Sequence, residues 1–268
     1  AEDAAGNEAV LEFTVVVDTT APAIENMILS ANPVPLNTAV SINAFIDDST
    51  TGGSLITSIV CNDGSNITEL GPFTSPIQEA TFTVGPYSSA SVHNIVITAT
   101  DASGNTNTSE TLLLAVYDPS AGFVTGGGWI ISPAGAYADN PDLTGKATFG
   151  FVSKYQKGAK VPTGETEFQF KVADLNFHSD TYEWLVVSGA RAQYKGSGTI
   201  NGAGDYGFML TAIDGEITGG GGTDKFRIKI WNKADETMII YDNKMDADDT
   251  SDPTTAIGGG SIIIHKTK

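Results

Sequence analysis

The sequence predicts an all-β protein of two β-sandwich domains, preceded by a lone N-terminal β-strand. Three observations carry this expectation. Helical periodicity is nearly absent from the 268 residues, whereas apolar–polar alternation is common. Clusters of Gly, Pro, Asn or Asp interrupt the alternation roughly every 8–15 residues, the spacing of sandwiches and barrels. Lys and Arg together number only 14, while Gly, Thr, Ser, Asn and Asp are abundant, as suits many turns joining short strands.

In chain order, residues 1–18 hold a single strand. Leu11, Phe13, Val15 and Val17 form one apolar face of it. The first domain spans 19–118. Pro22, Pro33 and Pro35 in its opening stretch fit a linker and an edge strand. Strands are expected near 24–29 and over "TAVSINAFID" (38–47), "SLITSIVC" (54–61), "EATFTV" (79–84), "HNIVITAT" (93–100) and "ETLLLAVY" (110–117). Six or seven strands in about 100 residues match an immunoglobulin-like sandwich, here without the Cys…Trp…Cys pattern of antibody domains. Cys61 is the one cysteine, so an intrachain disulfide is impossible, and it reads as a buried small hydrophobe.

The composition shifts at "YDPSAGFVTGGG" (117–128), which marks the boundary to a second domain over 119–268. Its strands are long and alternating. Phe168, Phe170 and Val172 share a face, as do Phe226, Ile228 and Ile230 against Arg227, Lys229 and Trp231. That pattern predicts an antiparallel sandwich with one wet face. The glycine triplets at 126–128 and 258–260 predict bulges or close backbone approach.

"TATDASGN", and "VVVDTTAP" after a matching "DAAGN", resemble the tandem immunoglobulin-like repeats of bacterial surface adhesins. Residues 123–268, from "GFVTGGGWI" to "GGGSIIIHK", are similar to a β-rich domain at the C-terminal end of secreted prokaryotic proteins. The resemblance implies an extracellular or cell-surface setting, a non-catalytic role, and calcium stiffening of the joint between neighbouring repeats.

Topology points to calcium as well. In an immunoglobulin-like sandwich the chain's point of entrance, the loop after the second strand and the loop before the last strand share one pole. Here they carry Asp18, then Asp47 and Asp48, then Asp101 and Asn105. Hard oxygen ligands from several loops suit Ca²⁺, and carboxylates gathered without a cation repel one another. The alternative is that these residues only shape turns. A second, weaker calcium candidate is "DNKMDADDTSD", with Asp246, Asp248, Asp249 and Asp252, for which a solvated acidic loop is the competing reading.

The N-terminal strand poses its own problem. Leaving four large apolar side chains in water forgoes about 6–12 kcal/mol of burial. Either Ala1 is a cut within a longer repeat protein, or the strand completes a neighbouring molecule by donor-strand complementation. A donor at one end and an acceptor elsewhere build a head-to-tail filament. The sequence favours the donor, with glycine-rich edges of the C-terminal sandwich as the acceptor.

Thirty-two acidic residues give a formal charge of −18, which argues against nucleic-acid or anionic-lipid partners. No apolar run reaches the roughly 18 residues of a membrane span. Nucleophile-elbow, zincin and phosphate-loop motifs are absent, so no enzymatic activity is expected. His178 with Asp180 lacks a nucleophile beside it. The competing class is a carbohydrate-binding or accessory module of a larger secreted enzyme or adhesin. Trp129 and Trp184 read as core, and Trp231 as the solvent-facing candidate for stacking on a sugar. Asn66 and Asn107 stand in N-x-[ST] sequons and permit glycosylation. The expected partners are the chain itself, neighbouring repeats, or glycans.

Overall fold

The computed structural model describes Ala5 and residues 17–266. The donor-strand residues Leu11, Phe13 and Val15 lie outside the described residues. Val17, the last of that set, is 72% exposed and outside any strand.

The chain is all-β and sandwich-type. Its N-terminal part forms two sheets. One is ordered β1–β3–β6, from β1 (Ala23–Leu29), β3 (Val40–Asp47) and β6 (Ile77–Val84). The other is ordered β2–β9–β7–β4–β5, from β2 (Val34–Pro35), β9 (Leu112–Tyr117), β7 (Ser91–Asp101), β4 (Ile56–Asn62) and β5 (Ile67–Leu70). A short β8 (Thr106–Thr108) pairs with the end of β7. Alternation decides these strands. Val40, Ile42, Ala44 and Ile46 are buried on β3, and Ala80, Phe82 and Val84 on β6. Pro35 stands in β2, a two-residue strand at the sheet edge, where its missing N–H is tolerated.

The C-terminal part is one nine-stranded antiparallel sheet. Its strands are β10 (Phe123–Ser132), β11 (Gly145–Lys154), β12 (Thr163–Phe170), β13 (Leu175–Ser188), β14 (Arg191–Ile200), β15 (Ala203–Ile213), β16 (Lys225–Asn232), β17 (Asp235–Asp242) and β18 (Gly259–His265). The order is β17 through β10 in reverse sequence, with β18 added beside β10. The sheet folds over so that its inner face meets itself. Phe149 on β11 stacks on Phe226 of β16 at 4.1 Å, and Phe168 on β12 meets Tyr241 of β17 at 4.7 Å. Together with Tyr194, Phe208 and Ile264 these rings form one continuous core.

The outward edge of β18 is closed by carboxylates. The Ile262 amide donates to Asp224 Oδ2 at 2.7 Å, and the Ile264 amide donates to Asp214 Oδ2 at 2.9 Å. Those amides would otherwise be open to another strand. The glycine triplets mark close backbone approach: Gly128 stands opposite Gly260, and a Cβ on either would come within 2.2 Å of a facing carbonyl oxygen. Gly126 lies under the Phe151 ring, where a Cβ would come within 2.4 Å.

One face expected to be wet is not. Arg227 and Trp231 on β16 are both buried. Trp184, Val186, Met209 and Trp231 form a second cluster with Val92 and Ala115, so the outer side of β13, β15 and β16 is covered. Contacts group the chain into two compact units. One comprises residues 1–28, 42–82 and 96–111, and the other comprises 29–41, 83–95 and 112–268. Each site described below lies within one unit.

Candidate metal centre

Asp18, Asp48 and Asp101 converge. One carboxylate oxygen from each lies within 4.8 Å of the others. They arrive on three separate pieces of chain: the segment before β1, the loop after β3, and the last residue of β7. Two oxygens on opposite sides of one Ca²⁺ stand about 4.6–5.2 Å apart, given Ca–O distances of 2.3–2.6 Å. The spacing therefore accommodates such an ion.

Each carboxylate is held by its own loop. The Asp48 carbonyl accepts the amides of Gly52 at 3.0 Å and Gly53 at 2.6 Å, winding the loop around the residue. Its side chain accepts Thr51 Oγ1 at 2.7 Å on Oδ1 and the Ser54 amide at 2.6 Å on Oδ2. Asp101 Oδ1 accepts the amides of Ser103 and Asn105, both at 2.8 Å. These are Asx turns, which leave lone pairs free on ionised carboxylates that can each accept about four hydrogen bonds. Asp18 Oδ1 accepts the Thr20 amide at 3.0 Å, while its Oδ2 is buried without a hydrogen-bond partner among the described residues. The Ser54 hydroxyl, and after it the Thr20 amide, hold the Asp18 carboxyl below its ordinary value.

Burial makes the cluster electrostatically demanding. Asp48 is 0% and Asp101 2% exposed, and none of the three carboxylates makes an ion pair among the described residues. None of the 14 Lys and Arg residues precedes Lys146. Gathered buried carboxylates without a cation are strongly disfavoured.

The expected set changes in two places. Asp47 adjoins Asp48 at the end of a strand, where neighbouring side chains diverge. Its Oδ1 accepts the Ser49 amide at 2.7 Å and the Ser49 hydroxyl at 2.6 Å, and it stands outside the cluster. Asn105 is present as a donor, its Nδ2 reaching Asp101 Oδ2 at 2.8 Å and the Asp18 carbonyl at 3.2 Å. It orients the Asp101 carboxylate and pins the leading segment. Gly52 was not singled out from sequence, yet a Cβ there would come 1.9 Å from Asp18 Oδ1. The Thr-Thr-Gly-Gly run behind the Asp pair is the one signal that marks it.

The second acidic stretch is a salt-bridge latch. Asp249 Oδ1 takes Lys229 Nζ at 2.7 Å, and Asp252 Oδ1 takes Arg191 Nε at 3.0 Å. Asp248 Oδ2 accepts Asn94 Nδ2 at 2.7 Å. Asp246 is an exposed turn residue at φ 59°. Cations already neutralise this loop, and its carboxylates do not converge. Its centre is Arg227, whose guanidinium is clamped by both oxygens of Asp242 at 3.0 and 2.8 Å and by the carbonyls of Ala247 and Asp248.

The aromatic candidates trade places. Trp231 is 5% exposed, packed with Trp184 and Met209, so it offers no face to a sugar. Alternation placed it opposite the core but could not show that this side is also covered. Trp184 is core as expected, whereas Trp129 is only half-buried. Asn66 is exposed in the turn between β4 and β5. Asn107 is exposed too, but its Nδ2 donates to the Pro22 carbonyl at 2.9 Å. His178 stands opposite Glu167, 3.5 Å away on the neighbouring strand. No protein-family model, curated protein or solved structure matches the chain.

Proposed function

We propose that this chain is a non-catalytic structural or adhesive protein of an extracellular surface, in which one Ca²⁺ bound by Asp18, Asp48 and Asp101 stiffens the N-terminal sandwich. The carrying observation is the convergence of three carboxylates from distant segments, two of them buried, with no Lys or Arg in the first 145 positions. The ion would tie the segment before β1 to the loops after β3 and β7. The strand orders β1–β3–β6 and β2–β9–β7–β4–β5 support an immunoglobulin-like repeat. Head-to-tail assembly through Leu11, Phe13, Val15 and Val17 rests on the apolar pattern of 9–17.

Scanning calorimetry tests the calcium. EGTA lowers the first unfolding transition of the whole chain, and Asp101→Ala abolishes that response. A wild-type transition indifferent to chelator refutes the site. Sedimentation velocity tests the assembly: the intact chain forms polymers that removal of residues 1–17 abolishes, and a monodisperse intact monomer refutes it.

A further inference from the structure

Of the two N-x-[ST] sequons, the fold leaves one open to an enzyme and closes the other. Asn66 stands in the turn joining β4 to β5, and it is exposed together with Ile67 and Thr68. The turn is fastened from beneath. Asp63 is buried, and its Oδ1 accepts the amides of Ser65 at 2.8 Å and Asn66 at 2.6 Å. Asn62 Oδ1 accepts the Gly64 amide at 2.9 Å. These Asx turns hold the backbone and leave the Asn66 side chain outside. Among the described residues no hydrogen bond engages the Asn66 side-chain amide or the Thr68 hydroxyl. Those two groups define the sequon. Thr68 pairs with Cys61 of β4, and β5 is the last strand of its sheet, so its other side is not paired.

The same two groups are both engaged in the second sequon. Asn107 lies on β8, and its Nδ2 donates to the Pro22 carbonyl at 2.9 Å while its Oδ1 accepts the Thr108 amide at 2.9 Å. The Ser109 hydroxyl donates to the Glu110 carbonyl at 2.9 Å and accepts the Ile97 amide at 3.0 Å. The Ser109 amide in turn donates to the Ile97 carbonyl at 2.8 Å. Asn107 is exposed, but a transferase reaching it would have to break the contact with Pro22 and lift Ser109 off β7.

We propose that Asn66 accepts an N-linked glycan and that Asn107, in the folded chain, does not. The donor class is an oligosaccharide on a lipid diphosphate, and the catalyst is an oligosaccharyltransferase. The Asn66 side-chain nitrogen attacks the anomeric carbon of the reducing-end sugar. The bond from that carbon to the diphosphate oxygen breaks, the diphosphate leaves with the electron pair, and one amide proton passes to solvent. The product is a bulky, hydrophilic group at the tip of the β4–β5 hairpin. It stands beside Ile67, which is 71% exposed, and beside the unpaired side of β5. Bare strand edges recruit other strands, so a glycan here guards one. The modification suits the extracellular setting proposed above. The two are tested apart, because transfer in vitro reads the acceptor and not its location.

The test is transfer to the folded whole chain, in calcium, by a single-subunit oligosaccharyltransferase that accepts plain N-x-[ST], supplied with its lipid-linked donor. The intact mass rises by a single glycan, and peptide mapping places it on Asn66. Asn66→Gln and Thr68→Ala each abolish the gain, whereas Asn107→Gln leaves it unchanged. A peptide of residues 103–111 is modified at Asn107 by the same enzyme, because nothing there holds the side chain. A folded chain that gains no glycan overturns the proposal, as does one modified at Asn107 as readily as at Asn66. A 103–111 peptide that stays unmodified also overturns it, by showing that local sequence rather than the fold closes that sequon.

Discussion

Gly52 shows how a single missing side chain serves the acidic cluster. A Cβ at this position would fall 1.9 Å from Asp18 Oδ1 and 2.2 Å from Oδ2. The obstructed group is the tip of a side chain, so Gly52→Ala folds but pushes Asp18 away from Asp48 and Asp101. Changes of that kind around a metal cost about 10–100-fold in affinity. Gly52→Ala is therefore expected to weaken calcium binding by that factor while leaving the melting temperature in EGTA near the wild-type value. Equal affinities would show that Asp18 is not a ligand. Asp48 and Asp101 were legible in the sequence because D-x-x-G-N and the Asp pair sit in turns that return to one pole. Gly52 and the divergence of Asp47 were not, because they depend on where the loop folds back.

At the scale of elements, alternation located the long strands well and the surfaces on which they pack poorly. On β3, Val40, Ile42, Ala44 and Ile46 are buried as their spacing implies. On β16 the same spacing separates Phe226, Ile228 and Ile230 from Arg227 and Trp231, yet both sets are buried. A period of two says which residues share a face and nothing about what covers the other face. The cover over Arg227 is a loop of 243–252 held by charge. Asp242 is its essential partner, and breaking a buried pair on one side costs about 3–5 kcal/mol. Asp242→Ala should lower the urea midpoint by a corresponding amount, and a midpoint near wild type would show that Arg227 finds its counter-charge elsewhere. In the same loop burial raises the Asp248 carboxyl, but Thr250, Asn94 and Arg227 outweigh it and leave it below the ordinary 3.8. Its contribution to stability is thus complete above that value and disappears as pH falls through the lower, folded value. The short β5 and β8 escaped the sequence reading because three or four residues are too few to display a period.

Over the whole molecule, charge is distributed as unevenly as the chemistry. Half of the 32 acidic residues and none of the 14 Lys and Arg residues precede Lys146. The later half answers its carboxylates with Arg191, Arg227 and Lys229, while the earlier half holds Asp18, Asp48 and Asp101 together with no such answer. The acidic stretch after β17 and the cluster of Asp18, Asp48 and Asp101 thus differ in what neutralises them. This unneutralised charge is what the proposed Ca²⁺ would offset. Isothermal titration of calcium into the chelator-stripped whole chain tests it most directly. One ion per chain is expected, with the binding heat lost in Asp48→Asn and kept in Asp249→Asn. No saturable binding, or an isotherm that Asp48→Asn leaves unchanged, would contradict it.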